Sequence, residues 1–196
     1  MSAFPADVID HLAGIAPGSH LDTVRALRIQ ARDNAQNSFR ALFEAGSADM
    51  SLRERFAVAA FVAGLHGDAT AELFYVQGAA DQDGLGATVA AEAARGAVTG
   101  PYGAYPSAAL AAENTAGLAY QVIDGNRGTL GTRLAAALEH VHMLVFRPRE
   151  ASAAALQALL NAGWSTTGIV TLSQLVAFLS FQLRVVAGLR VLAATA

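Results

Sequence analysis

The chain has 196 residues, 54% of them hydrophobic, a net charge of −3 and no cysteine. A pI near 5.9 argues against nucleic acid as a main partner, because phosphate neutralisation needs a basic face. Without a thiol, these residues carry no disulfide or thiolate chemistry, a composition that fits a cytoplasmic protein.

The elements follow from helical spacing and caps. No secretory leader is read at the N-terminus, where Asp7 and Asp10 interrupt the first apolar stretch and no basic lead-in is present. Ser19, with Asp22 three residues on, opens a helix expected over His20 to Ala45, closed by Gly46. Ser51-x-x-Glu54 is a capping box for a helix to about Ala63. Gly64 and Gly67 break it, and Asp68 caps the next, to about Gln77. A helix over Gly86 to Ala97 is followed by an irregular stretch around Gly100 to Pro106. Ala119 to Ile123 has the composition of a short β segment, and Gly125 to Gly131 reads as a glycine-rich connection. That connection lacks the phosphate-loop patterns, although Arg127 and Arg133 beside a helix start offer an anion site. Gly131 and Thr132 introduce a helix to about Leu144. Pro148 starts another, ending at Ala162 and Gly163, and the last runs from Ser165-Thr166-Thr167 to about Leu192. Its apolar centre, Ile169 to Leu183, is too short and too hydroxylated for a membrane span and reads as a buried central helix. The expected fold is therefore all-α, one domain over 1–196, with no membrane partner.

The chain also repeats itself. Ala41 to His66 aligns without a gap on Ala158 to Leu183, matching Ala41-Leu42 with Ala158-Leu159, Ala45-Gly46 with Ala162-Gly163, and Ala60-Phe61 with Ala177-Phe178. Two related halves, about 20–97 and 127–196, are expected to pack face to face across a Gly/Pro-containing connection. Phe61, Phe74, Trp164, Phe178 and Phe181 are their expected packing residues.

The stretch Ser51 to Phe74, together with Pro148-Arg149-Glu150 through Ala162-Gly163-Trp164-Ser165, resembles the carboxymuconolactone decarboxylase / alkylhydroperoxidase D superfamily, in its two-half, peroxidase-related branch. Redox-active members carry a Glu, a Cys-x-x-Cys beginning twelve residues later, and a His four residues after the second Cys. Here Glu54 holds the first place, while His66, Ala69 and Leu73 stand at the other three. The resemblance implies a helical homo-oligomer, a dimer or larger, that keeps the scaffold and lacks the peroxidase chemistry. It also implies a relay role for Glu54, a carboxylate that the capping box would equally employ structurally.

His66 has two readings. At a helix entrance a neutral imidazole could accept a proton or bind a ligand, with Glu54 and His66 lining one pocket; alternatively it is a solvent-facing turn histidine. His140 and His142 lie two apart on a helix and diverge, so a joint metal site is not expected, but either could face a pocket. Trp164, Gln174 and Arg184 are candidates for a pocket wall or subunit contact, since a buried arginine must be paired. No cofactor is expected. Three functions follow: a redox-dead protein that binds a small molecule or supports a partner oxidoreductase; a non-redox, decarboxylase-type acid/base enzyme using Glu54 and His66; and a structural oligomer.

Overall fold

The computed structural model describes residues 4–44, 46–79 and 83–195, and these residues are helical in every regular element, with one isolated antiparallel bridge between Gly103 and Thr115. The helices are α1 (Val8–Ala13), α2 (His20–Ala26), α3 (Ile29–Phe43), α4 (Leu52–Leu65), α5 (Ala69–Gly78), α6 (Leu85–Gly96), α7 (Asp124–Phe146), α8 (Ala153–Asn161) and α9 (Thr166–Thr195). Short 3₁₀ turns occupy Ala108–Glu113 and Pro148–Glu150.

Local signals set most of the starts. Ser19, Ser51 and Asp68 each accept a hydrogen bond from the backbone N–H three residues on, and Ser51 and Glu54 complete a reciprocal capping box. Each cap satisfies donors that the first helical turn leaves open.

The centre of the molecule is α4. Every residue from Arg55 to Ala63, and Leu65, is buried, so this helix is covered all round by α5, α6, α7 and α9. Its composition makes that possible: alanines alternate with Phe56, Val58, Phe61 and Val62, letting neighbours approach closely. Gly64 marks the close approach of α6, since a Cβ there would lie 2.6 Å from the Cβ of Ala93. The buried polar exception, Arg55, donates to the carbonyls of Met50 (3.1 Å) and Leu42 (2.8 Å), tying the end of α3 to the turn before α4.

Several expectations are corrected. The helix expected from His20 breaks at Leu27–Arg28, and its expected end at Ala45 lies outside the described residues. The break lets Arg25 of α2 and Arg32 of α3 converge on the carboxylates of Asp7 and Asp10, which one continuous helix would hold about 10 Å apart along its axis. Residues 124–130 are helical rather than a loose connection, joined to the rest of α7 through Gly131, whose φ of 71° and ψ of 164° suit glycine best. Ala119 to Ile123 forms no strand. Residues 148–150 form only a 3₁₀ turn, and α8 starts later, capped by Ser152.

The last helix is not central. It buries one face (Leu172, Leu175, Leu179, Leu183 and Val186) against α1, α4 and α7, and exposes the other, including Val170 and Arg184. By length and composition alone it is also the one helix among the described residues that could cross a membrane. Of the aromatic packing set, Phe61 and Trp164 are buried and Phe74 and Phe178 half-buried, but Phe181 is 48% exposed. The two helices that the internal repeat equates, α4 and α9, pack against each other. Each follows another helix and a turn containing Gly46 or Gly163.

Two glycines test this packing. Gly64→Ala should lower stability by about 1–2 kcal/mol, overpacking the α4–α6 contact by more than the gain in helix propensity. Gly188→Ala, where an added Cβ meets nothing within 4 Å, should raise it by about 0.4–1 kcal/mol. Urea unfolding midpoints of the two variants against the parent protein read both signs.

Candidate functional site

The two residues expected to converge sit at opposite ends of α4. Twelve residues of helix separate Glu54 from His66, about 18 Å along the axis. The expectation that they line one pocket is corrected by this geometry, and each has its own surroundings.

Glu54 is held by structure on both carboxylate oxygens. Its Oε2 accepts from the Ser51 backbone N–H (2.8 Å) and hydroxyl (2.9 Å), and its Oε1 accepts from Arg133 Nε at 2.6 Å. Arg133 extends the clamp. It donates to the carbonyls of Gly163 (2.5 Å) and Asp49, and its guanidinium lies 3.9 Å from the centre of the Trp164 ring. Trp164 is buried and returns a hydrogen bond from Nε1 to the Arg133 carbonyl at 2.9 Å. Trp164 therefore belongs to a latch that fastens the starts of α4 and α9 to α7. Arg127 is likewise engaged by Glu139 (2.5 Å) and Asp124 (3.5 Å), so neither arginine beside the glycine-rich segment is left for an anion.

His66 is the C-cap of α4 rather than the entrance of α5; its backbone N–H donates to the Val62 carbonyl at 3.1 Å. A helix C-terminus favours imidazolium. Burial opposes it more strongly and, with the nearby Arg184 guanidinium, holds the ring below the ordinary histidine range, with Asp68 pulling weakly the other way. Its Nε2 is buried without a hydrogen-bond partner. The side chain lines a cleft of about 760 Å³ whose other walls come from segment 98–101, the end of α7 and one side of α9. Leu65, Val98, Leu144 and Val176 supply apolar surface there; Thr99, Ser173 and Ser180 supply hydroxyls. Arg184 is exposed, lines the same cleft and donates to the Ser180 carbonyl at 2.9 Å. The expectation of a buried arginine is corrected by this exposure, and among the described residues no carboxylate pairs with it.

The remaining candidates lie elsewhere. Gln174 is exposed in an apolar groove between α8 and α9, beside Leu156, Leu160 and Val170. His140 and His142 are both buried on α7. His142 stacks on Tyr120 with ring centres 4.8 Å apart, and its Nε2 lies 3.0 Å from the Gly96 carbonyl. That contact consumes one ring nitrogen in packing, and neither histidine lines the cleft beside His66. The other two motif places, Ala69 and Leu73, fall on α5, where Leu73 is 58% exposed.

A fully buried carboxylate was not anticipated. Glu92 accepts from Tyr120 Oη (2.5 Å), Asn126 Nδ2 (2.7 Å), Arg95 Nη1 (2.8 Å) and the Ile123 backbone N–H (3.3 Å). Burial pushes its pKa up, but these donors outweigh it and hold the group below the ordinary glutamate range. Apart from Arg95, one turn on, its partners lie some thirty residues away, so the local pattern shows at most an exposed i,i+3 ion pair. With every oxygen engaged, Glu92 anchors the 119–126 segment to α6 and is structural.

No family model, curated protein or solved structure matches this chain.

The buried histidines make stability depend on pH. Burial is the first cause depressing His66, His140 and His142 below the ordinary value of 6.5. The unfolded chain therefore takes up protons first as pH falls, and stability is full above about 6.5 and declines below it. His142 alone contributes at most about 1.4 kcal/mol per pH unit to that decline. Urea midpoints should drop between pH 7.5 and 5.5, and His142→Gln should make the drop shallower.

Proposed function

We propose that this protein is a cysteine-less relative of the alkylhydroperoxidase D and carboxymuconolactone decarboxylase proteins that binds a small molecule, acting alone or in support of a partner oxidoreductase. The observation that carries the reading is His66. It stands where the resembling enzymes have their first cysteine, and it lines a cleft of about 760 Å³, within the roughly 300–1,000 Å³ usual for small-molecule sites. Thiol peroxidase turnover needs a thiolate, which these residues do not contain. Acid/base catalysis by Glu54 acting with His66 draws no support from the geometry, since Glu54 is clamped by Ser51 and Arg133 at the far end of α4. Self-association into a homo-oligomer is part of the proposal; the exposed apolar groove of Leu156, Leu160 and Val170 favours it.

Thermal unfolding in the presence of small carboxylic acids and lactones tests the binding reading. A ligand at 100 times its Kd should stabilise the protein by about 2.7 kcal/mol, raising Tm by several degrees. His66→Ala should abolish the shift, and an undiminished shift in that variant would refute the assignment. Light scattering on the same samples should give a mass above 20.2 kDa, and Val170→Glu should reduce it toward the monomer.

A further inference from the structure

We infer that the cleft beside His66 takes a monoanion with a compact apolar body, such as a medium-chain or aromatic monocarboxylate, with its charged head on Arg184. The inference rests on the small-molecule reading above and narrows it to one ligand chemistry.

Charge is the first argument. Among the residues lining the cleft, Arg184 is the one with a permanent charge, and no aspartate or glutamate lines it. The groups facing His66 are Arg184 on α9 and Asp68 at the start of α5, and Asp68 is already held by Arg190 at 2.9 Å. From α7 and segment 98–101 the lining is apolar apart from Thr99. Among the described residues the cleft therefore presents a single permanent positive charge with no carboxylate on its walls to neutralise it.

The second argument is spare hydrogen-bonding capacity. A guanidinium has five N–H donors, and Arg184 spends one contact on the Ser180 carbonyl. Arg190, Arg133 and Arg32 each hold a carboxylate within 3 Å, whereas Arg184 holds none among the described residues. The free edge of its fork matches a carboxylate in the two-point geometry that arginine favours. The hydroxyl of Ser180, one turn before Arg184 on the same side of α9, can serve a remaining oxygen.

The walls set the rest of the ligand. Leu65, Val98, Leu144 and Val176 offer apolar contact, and burial there rewards a hydrocarbon or aryl body. A dicarboxylate would have to place its second charge against those walls with no cation to meet it, which disfavours it.

Isothermal titration of the full chain with hexanoate, hexanamide and adipate separates the outcomes. Hexanoate should bind about tenfold tighter than hexanamide, the difference one charge-assisted pair supplies, and adipate should bind more weakly than hexanoate. Arg184→Gln, at an exposed position that leaves the core untouched, should bring hexanoate down to the level of hexanamide. Arg184→Lys should keep part of the preference for the acid. Equal binding of acid and amide, or a preference that survives Arg184→Gln, would overturn the monoanion inference while leaving a small-molecule site standing. Failure of all three compounds to bind, with no thermal shift from any acid or lactone, would overturn the small-molecule reading as well.

Discussion

The structure depends on burying α4 on every side. A helix with no solvent face has no room for a functional polar group along its length, so chemistry is confined to its two ends. Alanine at positions 57, 59, 60 and 63 lets the surrounding helices close in, and Gly64 brings α6 to near contact. Arg55 is tolerated inside because backbone carbonyls on two sides accept its donors. At the N-terminal end Glu54, Arg133 and Trp164 engage one another beside a smaller hollow of about 290 Å³; the C-terminal end, at His66, opens on the larger cleft.

This division explains why two residues that look like a catalytic pair in sequence do different work. Glu54 satisfies a helix start and an arginine that also binds the turns before α4 and α9. Burial holds His66 below the ordinary histidine range at the rim of an amphipathic cleft, near an arginine without an acidic partner among the described residues. Glu92 and His142 form a third polar site, but its oxygens and one of its ring nitrogens are spent on holding the 119–126 segment and Gly96 in place.

What the sequence made legible follows the range of each interaction. Ser19, Ser51 with Glu54, and Asp68 act on backbone groups three residues away, so their helix starts could be read directly. The break at Leu27–Arg28 could not, because the aspartates at 7 and 10 that Arg25 and Arg32 meet across it are reached only in the folded chain. The same holds for Glu92, three of whose four partners come from 120, 123 and 126, and for Arg133, whose partners come from 49, 54 and 163. Ile169 to Leu183 was misread as central because hydrophobic content alone does not tell a helix with one exposed apolar face from one covered all round. The sequence places His66 at a helix entrance, whereas it sits at a helix end, which reverses the sign of the backbone dipole acting on it.

On the proposed reading, ligand binding is confined to the His66 end of α4. Nitrogen-15 NMR of the histidine side chains during a hexanoate titration probes that confinement. A saturable shift of the His66 resonances is expected, with those of His140 and His142 unmoved. Movement of His142 with His66 unchanged, or no saturable change at any histidine, would contradict it.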